Sequence, residues 1–265
     1  MATLTPEIPM VNAGLLYVNG LQLSSNSTTP TTWFNVAAGM CRDHTNTNDI
    51  VISSNLIVDI ARVGAGGLDR GAIAASTLYA VYAIGSSSNQ LGNGQPYSAY
   101  PGSVVISTNF TQPVLPFAYD MFRRIGTVAT SSGSTLRLFT QIGSGSVRTM
   151  WYNAPLATSI TAGNSTVYDQ VELNFVTGAV PAQVCTVILD VILTPATAGN
   201  TVYLSATGTG PSDYASFTAP VAAVSSNNML FCPSTVIGGV ADLFYKVSNA
   251  SDLALISVRG FEDNL

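Results

Sequence analysis

A chain of 265 residues with nine Lys and Arg, fourteen Asp and Glu and one His carries a net charge of −5 and a charged fraction of 9%, where an average soluble protein has about 25%. This excludes nonspecific nucleic-acid binding, which needs clustered cations to neutralise phosphates, and a single His44 and a single Lys246 leave little for conventional catalysis. The hydrophobic fraction of 47% does not make a membrane-inserted chain, because no stretch approaches the ~20 apolar residues of a spanning helix and the longest, 184–193, is broken by Thr186 and Asp190.

The opening Met-Ala-Thr-Leu-Thr-Pro-Glu lacks the basic and apolar regions of a signal peptide. The expectation is a protein kept in a cytoplasm or assembled there into something larger. Residues 1–20 hold Pro6, Pro9 and the apolar patch Leu15-Leu16-Tyr17-Val18 before a turn at Asn19-Gly20. They read either as an extended arm packing on a neighbouring subunit or as a first strand of the same domain.

Beyond them the chain is a series of β-branched and aromatic runs separated by Gly, Pro, Ser and Asn. Strands are expected near 35–38, 50–53, 56–60, 77–84, 104–108, 123–129, 135–140, 148–152, 170–174, 185–193, 201–206, 243–247 and 255–259. Helical periodicity is scarce, since Val, Thr, Ser and Gly outnumber the good helix formers. The Ser131-Ser132-Gly133-Ser134 turn predicts a hairpin of 123–129 with 135–140, and Gly143-Ser144-Gly145 extends it to 148–152. Strands at this spacing without helices between them predict an all-β protein of antiparallel β-sandwich or jelly-roll-like domains. A soft boundary at Asn153-Ala154-Pro155 divides it into an arm (1–20), an N-terminal β-sandwich domain (21–153) and a C-terminal one (154–265).

Cys41, Cys185 and Cys232 are odd in number and widely spaced, which fits reduced, buried thiols rather than a disulfide framework. The densest polar run is Cys41-Arg42-Asp43-His44-Thr45-Asn46-Thr47-Asn48-Asp49. Cys41 and His44 supply two zinc ligands where a structural site needs four. Asp43, Asn46, Asn48 and Asp49 offer oxygens, but the spacing lacks the Gly and Glu of a calcium loop. A turn in which Asp and Asn bond their own backbone is the better reading.

No Gly-x-Ser-x-Gly elbow, phosphate-binding loop or Rossmann glycine pattern occurs. Asp120, Asp169, Glu172 and Asp190 exist as carboxylates, yet nothing in the sequence pairs any two for glycoside hydrolysis. No catalytic, cofactor-binding or metal residue is therefore assigned. Arg123 and Arg124 should point to opposite faces of a strand, one of them meeting a buried carboxylate or backbone carbonyls, with an ion pair to Asp120 or a subunit-interface contact preferred to recognition of a phosphate. Tyr79, Tyr82, Tyr97, Tyr100 and Tyr119 read as core or interface before they read as sugar-stacking platforms.

Several stretches resemble virion structural proteins of tailed bacteriophages, of the tail-fibre and virion-associated kind. They are Gly20-Leu21-Gln22-Leu23-Ser24-Ser25-Asn26, the run from Ala38-Gly39-Met40 to Asn48-Asp49-Ile50, Leu78-Tyr79-Ala80-Val81-Tyr82-Ala83-Ile84-Gly85, Tyr119-Asp120-Met121-Phe122-Arg123-Arg124-Ile125-Gly126, and Val258-Arg259-Gly260-Phe261-Glu262-Asp263. The resemblance implies a virion component and carries no catalytic motif. The expectation is a non-enzymatic fibre or attachment protein of tail or collar, a homo-oligomer with a trimer as the first choice, bound to other virion proteins and needing no cofactor. A capsid decoration (cement) protein is the first alternative, and a host-glycan-binding module the second.

Overall fold

A computed structural model describes residues 17–87, 101–156, 160–173, 180–181, 183, 185–208, 215–237 and 240–265. Residues 1–16 of the expected arm, together with Tyr97 and Tyr100, lie outside the described residues. The described residues form twenty-one strands. They are β1 (Val18–Gly20), β2 (Leu23–Ser25), β3 (Trp33–Val36), β4 (Gly39–Arg42), β5 (Asp49–Ile52), β6 (Leu56–Asp59), β7 (Gly67–Leu68), β8 (Leu78–Gly85), β9 (Ser103–Ser107) and β10 (Met121–Ala129). There follow β11 (Phe139–Ile142), β12 (Val147–Tyr152), β13 (Ile160–Gly163), β14 (Asp169–Glu172), β15 (Thr186–Thr194), β16 (Thr201–Ser205), β17 (Ala215–Thr218), β18 (Ser226–Pro233), β19 (Thr235–Ile237), β20 (Val240–Val247) and β21 (Leu253–Asn264). The described residues contain no α-helix, so the chain is all-β, as its β-branched composition anticipates.

The strands form four sheets whose pairs are antiparallel apart from β7 beside β9. A nine-stranded sheet runs β18-β15-β21-β12-β11-β2-β3-β6, with β13 also on β21. Against it stand a four-stranded sheet, β10-β8-β9-β7, and a five-stranded one, β14-β20-β16-β17 with β19 on β20. A small sheet, β1-β4-β5, completes the set. Inward residues of the large sheet (Phe34, Val36, Val58 and Phe139 at one end, Val187, Leu189, Ile256 and Val258 at the other) share one core with Tyr79, Val81 and Ile106 of one facing sheet and Val202, Leu204 and Leu243 of the other. The alternating burial of β11 and β12 is that of a sheet with one face in the core. The β8 and β10 strands are instead buried almost throughout. The outer faces of β8, β9 and β10 (Tyr82, Ile84, Val105, Phe122) carry a second apolar cluster, covered by Phe110, Leu115 and Tyr119 of the segment before β10.

Residues on either side of position 153 meet within the large sheet, where β12 pairs with β21 from Val147↔Asn264 to Trp151↔Gly260. Beside that seam lies Arg148, 2% exposed. Its Nη1 donates to Leu21 O (2.9 Å) and Gln141 Oε1 (3.0 Å), its Nη2 to Gly20 O (2.6 Å) and its Nε to Gly145 O (3.3 Å). A buried guanidinium is tolerated when its donors are used in this way.

The hairpin expected between 123–129 and 135–140 does not form. Only a single bridge, Thr130↔Leu136, links the two segments, after which the chain leaves the four-stranded sheet and β11 pairs with β2 and β12 in the large one. The β11–β12 hairpin does form, on positive φ at Gly143 (103°) and Gly145 (73°). All three cysteines are buried and free. Burial pushes the thiols up, to about 12 at Cys41 and Cys232 and about 11 at Cys185.

Candidate functional site

Two runs far apart in sequence, the polar 41–49 and the largely apolar 119–126 with its adjacent arginines, come together at the free edge of β10. The first forms the β4–β5 loop. Within it the Asp43 carboxylate, 1% exposed, accepts from Thr47 N (2.9 Å), Thr45 Oγ1 (2.9 Å), Asn48 N (3.3 Å) and Asn48 Nδ2 (3.2 Å). Asn46 takes a positive φ of 57°, which Asn tolerates. Burial pushes the Asp43 carboxyl up, but the backbone and hydroxyl donors outweigh it and leave its pKa lowered. The oxygens that suggested calcium are thus occupied at Asp43 by its own loop, and among the described residues no three His, Cys, Asp or Glu side chains cluster to hold a metal.

The loop delivers His44 to β10. His44 N donates to Phe122 O (2.8 Å), using an otherwise free edge carbonyl, and the imidazole stacks on the Phe122 ring at 4.1 Å between centroids and 11° between planes. Phe122 in turn meets the edge of Tyr82 at 5.9 Å. A register shift between Arg124 and Gly126 in the β10–β8 pairing accompanies the two arginines.

Arg124 pairs with the buried Asp263 (3.1 Å) and donates to Asn264 O, while its guanidinium lies 5.8 Å from the Phe110 ring centroid. Arg123, 9% exposed, donates through Nη2 to Leu265 O (3.3 Å). Its Nε is buried and has no hydrogen-bond acceptor among the described residues. Burial lowers the Arg123 pKa, and Cys41 and Arg124 modify the effect in opposite senses; a guanidinium remains charged at neutral pH nevertheless. Asp120 is not the arginine partner suggested by sequence proximity, for it accepts from Ser87 N (2.6 Å) and the Ser87 hydroxyl. The better placed carboxylate is on β21, joined also to Thr127 Oγ1 at 2.7 Å.

His44, Tyr82, Phe110, Thr111, Phe122, Arg123, Arg124 and Leu265 line a recess of about 270 Å³. It offers two cations, a flat aromatic wall and a hydroxyl. Phe110, Asp263 and Leu265 were not foreseen. A carboxylate near the end of a long apolar strand is the one signal that pointed to Asp263, because a buried charge requires a partner.

The other anticipated residues are dispersed. Asp190 pairs with Arg259 (3.7 Å), Asp169 begins β14 and Glu172 ends it. Tyr79 and Tyr82 are 2% and 1% exposed, so neither offers a ring face to a sugar in solvent. A second recess, about 520 Å³, lies on β11, β2, β3 and β6, where Gln22, Ser24, Asn35, Asn55, Ile57 and Thr140 give it an uncharged lining.

No protein-family model matches the chain, and no curated protein matches it. Among solved structures, a Bacillus thuringiensis Cry1Da tryptic core variant is 10% identical with a TM-score of 0.23, covering 92% of this chain and 50% of that one, so the chain spans half its length. The structure of infectious bursal disease virus, Gx strain, is 14% identical with a TM-score of 0.21 over 97% of this chain and 74% of that one. Likeness at these scores carries no argument about function.

Proposed function

We propose that the chain is a non-enzymatic structural protein of a tailed-phage virion, a fibre or attachment component of tail or collar that works as a homo-oligomer. The observation that carries this reading is a row of directly paired residues crossing eight strands of the large sheet. It runs Ile57, Asn35, Ser24, Thr140, Trp151, Gly260, Ile188, Phe231. No residue in the row is charged, and Ile57 and Phe231 at its two ends are 56% and 54% exposed. Beside the row the Arg259 guanidinium lies 5.9 Å from the Trp151 ring and pairs with Asp190, so the uncharged, exposed parts are its two ends, and these are well suited to lie against another protein surface. The low overall charge extends the same character to the rest of the molecule.

The test is reconstruction of the intact particle together with mass measurement of the isolated chain. Density for the chain at tail or collar and a stable oligomer in isolation are the expected results. Density on the capsid lattice, with a monomer in isolation, would assign the cement role instead. Turnover of a host polysaccharide by the purified protein, abolished by substitution of one carboxylate, would defeat the non-enzymatic reading.

A further inference from the structure

We infer that the outer edge of β18 binds the β18 of a second copy of this chain, antiparallel and about a two-fold axis, so that two nine-stranded sheets become one. This rests on the homo-oligomer proposed above and names the contact that holds it. Ser234 N donates to Cys185 O (2.8 Å), continuing the β18–β15 ladder one pair beyond Pro233↔Thr186. Backbone groups alternate in direction along an antiparallel strand, so Cys232, Leu230 and Asn228 bond β15 while Phe231, Met229 and Asn227 turn their N–H and C=O outward. Met229 N agrees, for it donates to the adjacent Asn228 Oδ1 (2.9 Å). Among the described residues no strand pairs with β18 on that side. Pro233 stands at an outward position, where its missing N–H costs the sheet nothing.

A row of outward N–H and C=O groups is a template for another strand, and charge selects which. The chain carries a net charge of −5, so two copies repel except where their contact is free of charge. Of the strands that end the described sheets, β5 and β6 carry Asp49 and Asp59, β10 its two arginines, and β14 Asp169 and Glu172. The uncharged β1, β7, β13, β17 and β19 have at most four residues. β18 has eight residues and no charge, which makes it the one long edge that can meet its own copy without repulsion. A pairing centred on Leu230 sets Met229 opposite Phe231 of the second copy and Asn227 opposite its Pro233. Met229 and Phe231, 39% and 54% exposed in the single chain, then cover one another in sulfur–aromatic contacts that the two-fold axis repeats.

Sedimentation velocity of the full chain, with hydrogen exchange read amide by amide across a dilution series, tests the pairing. A dimer or a larger even-numbered oligomer is expected. On dilution the amides of Asn227 and Phe231 should lose protection, while those of Asn228, Leu230 and Cys232, bonded to β15, keep theirs. Phe231→Pro removes an outward N–H that the fold does not use, and it should weaken dimerisation at least about tenfold, as the loss of its symmetry-related hydrogen bonds implies. Phe231→Thr keeps that N–H and a strand-forming residue and should weaken dimerisation less. The exchange pattern of the unaltered chain decides the matter if Phe231→Pro fails to fold. A trimer, protection at Asn227 and Phe231 that does not change with concentration, a folded Phe231→Pro that dimerises as tightly as the unaltered chain, or equal weakening by Phe231→Thr would overturn the pairing and leave the homo-oligomer to another surface. A chain that is monomeric at every concentration would overturn the homo-oligomer itself.

Discussion

Arg148 is the residue on which the middle of the large sheet depends most. Its four donor contacts reach two carbonyls, Gly20 O and Leu21 O, more than a hundred positions away, the nearby Gly145 O, and the side-chain oxygen of Gln141, whose Nε2 is itself bound to Ile125 O (3.2 Å). Arg148→Met keeps the aliphatic stem and deletes the donors, which isolates hydrogen bonding from packing. Each acceptor left bare in the interior costs about 1–3 kcal/mol, so a loss of about 3 kcal/mol or more is expected from the urea unfolding midpoint. Asp43 gives a pH-dependent counterpart. Its folded pKa lies below the unfolded value of 3.8, so ionisation is linked to folding. The stabilisation is complete above pH 3.8 and is lost as pH falls through the depressed folded value. Asp43→Asn should cost about 1–2 kcal/mol at neutral pH, and the gap between the two proteins should close on acidification, read as converging unfolding midpoints between pH 7 and pH 2. Asp43 was legible from sequence because an Asx turn is local chemistry. The role of Arg148 was not, because its acceptors are brought near only by the completed sheet.

Strand existence was readable wherever a run was apolar enough to be buried. The 77–84 and 123–129 segments became β8 and β10, buried on both faces; the sequence of β8 is almost unbrokenly apolar, and that of β10 is interrupted by Arg123, Arg124 and Thr127. Strands β1, β2, β4 and β18 escaped notice because they are three or four residues long or, like Ser226-Asn227-Asn228 at the start of β18, polar on the exposed edge of a sheet. Pairing was less legible than existence. A Ser-Gly turn looks the same whether the chain folds back on itself or crosses to the opposite sheet, and here the core on the far side decides. The β12–β21 seam is where such long-range pairing matters most, and Gly260 is its tightest point. A Cβ there would sit 2.2 Å from Met150 O, a backbone atom that cannot rotate away. Gly260→Ala should therefore destabilise by about 2 kcal/mol or more. Hydrogen exchange should quicken first at the amides of β12 and β21, before those of β8. Uniform quickening across both facing sheets would mean that the seam has no separate weakness.

At the scale of the molecule, one sheet of nine strands carries both facing sheets, and its outer side ends in two edges, β6 and β18. Natural edges are usually protected by charge, proline or a bulge. The β18 sequence, Ser-Asn-Asn-Met-Leu-Phe-Cys-Pro, has no charge, and its proline stands at the last position, while Met229 and Phe231 are 39% and 54% exposed. If the protein works by self-association, as the proposed role requires, this edge is where an added cation does most harm. Phe231→Lys should leave circular dichroism and unfolding nearly unchanged, because an exposed side chain contributes within about 0.5 kcal/mol. It should nonetheless shift the sedimentation coefficient of the purified chain from oligomer toward monomer. An oligomer equally stable in the variant would place the subunit contact elsewhere, and a wild-type chain that stays monomeric at high concentration would remove the fibre reading and leave the cement reading to be tested with a capsid lattice present. Removal of residues 1–16 separates the last two cases further: an arm that engages a neighbour predicts a folded monomer that no longer incorporates into particles, whereas a segment needed by its own sheets predicts a lowered unfolding midpoint.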